Sequence, residues 1–501
     1  MDPSHYAIPL APIIFFIVIR LVFRRQNTLR HVAGPPSPSW IFGHILQLIL
    51  PPQYGDYEFR WQDKFGPVYR IKGCFGEDRL LVADPAALQY ILNSPNFERG
   101  GAGKEHRRMR AALNFGFSAA AVRRYQAVFE KAAEMVSEKL EGSLDTSTNV
   151  CPLLSLATLR AISEACLRYT LEDLGNDFVA NNIEVMRLSA SRSAPQLLLD
   201  ALSLRFPLWL LRATAKYLPT SAFKAMREGR YLAENIGHRI IRERVDAAHR
   251  GVDMDDDLFS HLLDPDVPNN MHLSKKEVVS QVGLLLVAGQ DTTANTMAYA
   301  LLELARNPEF QAQLRNEIHS TLGTSGGGIA YDSMPLLNAL IKETNRFYPA
   351  APLLDRVATK DTTLPLAQPI ITTTGEQISH IPILKGQFLT LGIGSYQRLK
   401  SHWGADAHKF NPHRWLDGTV NRGDAVGIGP YANLLSFSGG LRTCLGWRFS
   451  ILEMQVILSH LVGRYSFAEV VEETIRPTYL NNLLPIVQSG ERAVPLYITR
   501  I

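Results

Sequence analysis

Phe437-Ser438-Gly439-Gly440-Leu441-Arg442-Thr443-Cys444-Leu445-Gly446 is the stretch that decides the reading of this 501-residue chain. It places a single cysteine in a glycine-rich turn, two residues after an arginine. The apolar run from Trp447 to Leu458 follows directly, and its pattern predicts a helix. Gly440 and Gly446 permit turns that a β-carbon would obstruct, and they let backbone come close to a neighbour. The positive end of the following helix favours Cys444 as a thiolate. Arg442 carries a permanent charge suited to carboxylate recognition. The plain alternative is a buried structural cysteine in a glycine turn.

Outward from that segment, the composition is that of a globular protein with a large core: 46% hydrophobic and 20% charged. The four cysteines, Cys74, Cys151, Cys166 and Cys444, show neither zinc-like spacing nor a disulfide framework. That fits a catalytic domain in a reducing compartment. A net charge of +4 without a basic stripe among aromatics argues against nucleic acid. From Tyr6 to Phe23 the chain is apolar except for Arg20, a stretch of about 27 Å as a helix against about 30 Å of hydrocarbon. Arg20, Arg24, Arg25 and Arg30 follow its centre and Asp2 precedes it, so the positive-inside rule puts the bulk of the chain in the cytosol. Pro9 and Pro12 shorten the helix, and an interfacial anchor is the other reading. Gly34-Pro35-Pro36-Ser37-Pro38 then reads as a stiff spacer. The division expected is 1–32 as anchor and basic stop segment, and 33–501 as catalytic domain.

Between the spacer and residue 100, Val68–Ile71 and Arg79–Val82 read as short strands. From 105 to 350 the pattern is helical. Ser274 and Glu277 form a capping box for a helix that runs to Arg306, about 50 Å long and apolar on most faces. Another helix ends near Phe347, before Pro349. Residues 351–400 return to strands and turns, and Gly323–Gly328 reads as a surface loop. The fold class is mainly α with a small β region.

The pattern F-x-x-G-x-R-x-C-x-G around Cys444 resembles the haem-ligand loop of the cytochromes P450, a match with chance odds on the order of 10⁻⁴. The resemblance implies the P450 fold, haem b as cofactor, Cys444 as axial iron ligand, and Phe437, Arg442 and Gly446 as haem-binding residues. A thiolate ligand favours O–O cleavage. Other segments fall in the family's order. Ala288-Gly289-Gln290-Asp291-Thr292-Thr293 is similar to its [AG]-G-x-[DE]-T-T, which implies Asp291 and Thr292 as the acid–alcohol pair that delivers protons. Gly289 suits a close approach or a local opening of the helix, where hydroxyls can take up freed carbonyls. Glu343-Thr344-Asn345-Arg346 resembles E-x-x-R, and Arg414 lies in a segment similar to the family's P-E-R-F/W, with His413 where an acid is common. These three charges, Glu343, Arg346 and Arg414, are then a structural network. His106, Arg110 and Arg356 resemble propionate-binding positions, and Arg107 and Arg108 belong to a cationic face for an electron donor.

One departure is a shortened stretch between Phe97 and His106, where relatives usually carry about twenty more residues. It leaves two readings, an open pocket roof or a sequence lacking part of an exon. The resemblance, closest to fungal microsomal members, implies a membrane-anchored monooxygenase: RH + O₂ + two electrons + two protons give ROH + H₂O. Electrons would come from NADPH through a separate NADPH-cytochrome reductase. Leu284, Leu285, Ala288, Ala351 to Leu354 and Leu480 to Leu484 are pocket candidates for a lipophilic substrate, a terpenoid or other fungal secondary metabolite. The expected setting is a monomer in the endoplasmic reticulum membrane, held by a single-pass anchor in the lipid with its catalytic domain on the cytosolic face. Alternatives are a haem-thiolate isomerase or dehydratase, and a haem-binding protein of impaired activity because of the 97–106 loop.

Overall fold

The computed structural model describes residues 28–98, 103–189, 192–203, 206–252, 258–264, 272–324, 329–418, 420, 427–480 and 482–501. The apolar segment 6–23 and the shortened stretch at 99–102 lie outside the described residues, as does 325–328 of the expected surface loop.

A single helix, Lys275–Arg306, organises the molecule. Its start is set by the capping box: Ser274 accepts from the Glu277 N–H, and the Glu277 carboxylate accepts from the Ser274 N–H. Nearly every residue from Thr293 to Ala305 is buried, so its second half passes through the core rather than over it. Helices Val150–Ile162, Ser221–His249, Pro335–Phe347 and Trp447–Arg464 pack around it. Gly289 is required by this packing. A β-carbon there would come within 2.7 Å of Ile162, so the glycine serves close helix–helix approach. Among the described residues, Val150–Leu167 has the length and apolar composition to cross a membrane, but 67% of it is buried in this core.

The β region stands beside the helices. Its main sheet has the strand order Val68–Lys72, Asp78–Val82, Phe388–Gly392, Leu353–Ala358, Phe97–Glu98. Only the contact of Asp78–Val82 with Phe388–Gly392 is parallel. The hairpin Thr362–Ile371/Gln377–Ile383 carries the same apolar cluster, which closes over Leu29 and Val32. The chain is therefore packed from its first described residues. The Thr28 hydroxyl donates to Pro382 O at 2.7 Å, and the Arg70 N–H donates to Ala33 O at 2.9 Å. Gly34 lies so close to that strand that a β-carbon would sit 1.9 Å from Arg70 O. The proline segment is thus docked against the sheet at its start. A second sheet, Ser147–Asn149, Pro495–Arg500 and Tyr465–Glu469, ties the C-terminus to the helical layer.

Candidate active site

The cysteine turn is closed by its own backbone. The Cys444 N–H donates to Phe437 O at 2.7 Å, and the Thr443 N–H and hydroxyl both donate to Gly440 O, at 3.2 and 2.8 Å. Gly440 has φ +58°, and a β-carbon on it would lie 2.2 Å from Leu92 O, so conformation and space both demand glycine. Gly446 differs: the nearest atom to a β-carbon there is Phe117 at 3.7 Å, and no protein atom forbids a side chain. Helix Trp447–Arg464 begins directly afterwards with Gly446 as its cap. The Cys444 side chain is open on one side. Burial nevertheless pushes its thiol up, against the pull of the Gly446 N–H and of Arg110. A positive metal ion at the sulfur would favour the thiolate.

Two arginines, Arg110 and Arg442, and a histidine, His106, gather beside this turn. Arg110 Nη1 donates to Thr443 O at 2.5 Å. Burial, then Arg442 and Arg110, lowers the His106 pKa. Burial lowers Arg110, Cys444 draws it back up, and Arg442 lowers it again. Among the described residues, no carboxylate pairs with any of the three. Arg356 is buried on the strand Leu353–Ala358, with Nη1 donating to Asp355 O at 3.0 Å. Arg108 is not part of a free cationic face, because its guanidinium grips the Glu277 carboxylate at the start of the long helix. Arg107 remains exposed.

On the long helix, Leu284 and Ala288 are exposed and Thr292 is half-buried, whereas Leu285 belongs to the core. Leu353, Leu480, Leu483 and Leu484 are buried as well. A cavity of ≈ 430 Å³ opens above this helix, bounded by Phe178, Val185, Met226, Gly283 and Val287. The middle of the helix is rich in hydroxyls that bond to carbonyls. Thr292 donates to Ala288 O at 3.1 Å, Thr158 to Gln290 O at 2.9 Å, and Thr296 to Thr292 O at 2.9 Å. The Asp291 carboxylate forms no hydrogen bond with the Thr292 hydroxyl. Its Oδ1 accepts from Arg492 at 2.8 Å and from Ser155 at 3.2 Å, and Arg492 also donates to Ser155 at 2.9 Å. Thr293 and Ser450 share a hydrogen bond at 2.9 Å, which joins the long helix to the helix after the cysteine.

Glu343, Arg346 and Arg414 come together in a buried, saturated network. Glu343 Oε1 accepts from Arg346 at 2.8 Å, Arg414 at 3.1 Å and the Asn411 N–H at 2.8 Å. Its Oε2 accepts from Arg346 and from Trp415 Nε1, both at 2.9 Å. The spare Arg346 donors reach the carbonyls of Gln397, Ala407 and Lys409. Arg414 also takes Asp406, a carboxylate that local sequence reading missed, at 2.9 and 3.0 Å. Gln397 was missed too. Its amide donates to Asn345 O and Arg346 O and accepts from the Leu435 N–H and the Ser436 hydroxyl, so it staples the network to the start of the cysteine turn.

A family model described as Cytochrome P450 matches residues 95–490. The chain belongs to the cytochrome P450 family. Cytochrome P450 monooxygenase 219 of Postia placenta is 32% identical, over 88% of each chain. Monooxygenase 91 of the same fungus is 28% identical over 97% of each chain, and ganoderic acid synthetase of Ganoderma lucidum 28% over 92% of each. The enzyme class is therefore P450 monooxygenase, and the family's cofactor is haem. The residues present fit that group. An open sulfur and two arginines without a carboxylate among the described residues lie on adjoining segments, as an iron-bearing ring with two carboxylate arms requires.

Proposed function

We propose that this P450 is a membrane-anchored monooxygenase that inserts one oxygen atom of O₂ into a lipophilic small molecule, a terpenoid or other secondary metabolite. Haem, when bound, supplies the oxidising chemistry; the chain supplies its sulfur ligand, its charge partners and the protons. In this reading Cys444 binds the iron, Phe437 and Gly446 shape the loop against the ring, and His106, Arg110, Arg356 and Arg442 hold the carboxylates. Thr292 and Asp291 deliver the two protons that leave with the second oxygen atom as water. Glu343, Arg346 and Arg414 hold the framework under the cysteine turn. The observation that carries the reading is the open Cys444 sulfur beside Arg110, Arg442 and His106, none of them paired with a carboxylate among the described residues.

The substrate class rests on the exposed apolar side chains of Leu284 and Ala288 and on the name of the Ganoderma lucidum relative, a ganoderic acid synthetase. The segment 1–32 would anchor the 33–501 domain in the endoplasmic reticulum membrane, facing the cytosol, with Leu29 and Val32 at its end packed into that domain. The anchor rests on the apolar Tyr6–Phe23 and the arginines behind it. Electrons would arrive from NADPH through a separate reductase. Microsomes holding the chain and a fungal NADPH-cytochrome P450 reductase, given ¹⁸O₂ and a panel of terpenoids, should yield a product carrying one ¹⁸O atom. Thr292→Ala should divert electrons from product to peroxide. A product formed without label from O₂ would instead favour an isomerase or dehydratase.

A further inference from the structure

The cavity beside the long helix lies on a different face from the expected substrate pocket. Helices Asn176–Ser189 and Ser221–His249 and the first half of Lys275–Arg306 enclose it. On the long helix its lining includes Val279, Gly283 and Val287. Leu284, Ala288 and Thr292 follow those three by five residues each, which turns them about 140° around the axis. In the reading above they face the haem, so the cavity is a second space.

Its size and lining are those of a small-molecule site. A volume of ≈ 430 Å³ lies toward the lower end of ligand pockets, which run from about 300 to 1,000 Å³. Phe178, Val185, Met226, Ala233 and the two valines make most of the wall apolar. The two charged residues that line it, Arg230 and Glu234, pair with each other at 2.7 Å. A wall with no spare charge selects a neutral molecule.

One polar group is left to fix an orientation. The Asn182 amide donates to the Gln290 side chain, and the Ser280 hydroxyl donates to Glu277 O at 2.6 Å. Asn181 donates to Ala225 O at 3.3 Å, and among the described residues its Oδ1 accepts no bond. That oxygen lies over Gly229, where a β-carbon would come within 2.6 Å of it. No other packed residue comes within 4 Å of that point, so helix packing does not require the glycine. Glycine inside a helix is unfavourable, and what this one preserves is the position of the Asn181 oxygen.

We propose that this cavity is a second binding site, for a neutral lipophilic alcohol of sesquiterpene size, whose hydroxyl donates to Asn181 Oδ1 while its hydrocarbon lies along Val279 and Val287. Its separateness rests on the reading of Leu284, Ala288 and Thr292 as the haem-side face. Binding there involves no covalent step and does not depend on which substrate the haem side oxidises.

The probe is farnesol, with farnesene as the fifteen-carbon chain that lacks the hydroxyl, and equilibrium dialysis measures binding to the haem-loaded full chain. Val185→Trp and Met226→Trp fill the cavity, Leu284→Trp fills the haem side, and retained haem absorption shows that each variant is folded. A farnesol site that both cavity variants weaken at least about tenfold, and that Leu284→Trp leaves intact, is expected. Asn181→Leu should weaken farnesol about fivefold and farnesene less than about twofold, because one hydrogen bond is at stake. No binding, or binding that only Leu284→Trp removes, would overturn the proposal. Weakening by all three tryptophans would mean one continuous pocket and would overturn the second site. Equal weakening of farnesol and farnesene by Asn181→Leu would overturn the choice of an alcohol. A crystal structure of the wild-type complex decides without any variant: farnesol between Asn181 and Val279 is expected, and farnesol at Leu284 and Ala288 alone would contradict it. Failure to oxidise farnesol bears on the proposed function and leaves this site standing.

Discussion

Two buried carboxamides of this molecule are satisfied very differently. Gln397, under the cysteine turn, uses both donors and its oxygen on four partners. Asn295, on the distal helix, is as deeply buried and bonds to no protein group. The same contrast runs through the charges. Glu343 accepts five bonds in a shell of arginines, while the hydroxyl of Tyr299 and the Nε of Arg492 have none. A saturated polar network fixes geometry, because every displacement breaks a bond. An unsaturated one is less tightly fixed, and internal water can satisfy it.

The contrast can be broken most forcefully at Glu343. Glu343→Ala leaves Arg346 and Arg414 buried without their shared counter-ion, and a loss of about 3–5 kcal/mol is expected in urea unfolding, with failure to retain haem. A loss below about 1 kcal/mol would mean the network is decoration. Next come the two amides. Gln397→Leu removes four bonds and strands their partners, so a loss of about 3 kcal/mol is expected. Asn295→Leu removes no protein bond and should change stability by less than about 1 kcal/mol in either direction. Equal losses at the two sites would erase the distinction.

The smallest expected effect lies at the start of the long helix. Arg108 foremost, then the Ser274 N–H, holds the Glu277 carboxyl down at about 2, against an ordinary value near 4.5. A depressed carboxyl stabilises the fold above its unfolded pKa and loses that contribution as pH falls. The capped helix should therefore weaken between about pH 4.5 and pH 2 in the wild type. Arg108→Gln should flatten that slope and change neutral stability by about 1 kcal/mol or less. Thermal unfolding across that pH range measures both.

Much of the framework was legible because its signals are local. Ser274 and Glu277 sit three residues apart, as do Glu343 and Arg346, and the cysteine turn is contiguous. The helix after Cys444 follows from pattern alone, and so do the strands expected at Val68–Ile71 and Arg79–Val82, each one residue longer in the structure. What escaped depends on partners far away in sequence. Asp291 meets Arg492 across 201 positions, and Arg108 meets Glu277 across 169. Gln397 and Asp406 are ordinary polar residues until the fold brings Arg346 and Arg414 to them. Leu285 looked like a pocket residue beside Leu284, and only the rotation of the helix turns it into the core. Gly289 could have served either a helix opening or close packing, and the side chain of Ile162 decides for packing.

The central claim is that Cys444 binds haem iron through its sulfur. The direct measurement is the absorption spectrum of the reduced, haem-loaded chain with carbon monoxide, for the wild type and for Cys444→Ser. A strongly red-shifted Soret band is expected in the wild type and its loss in the variant, with both proteins folded. A folded, haem-loaded wild type without that band, or a variant that keeps it, would contradict the account.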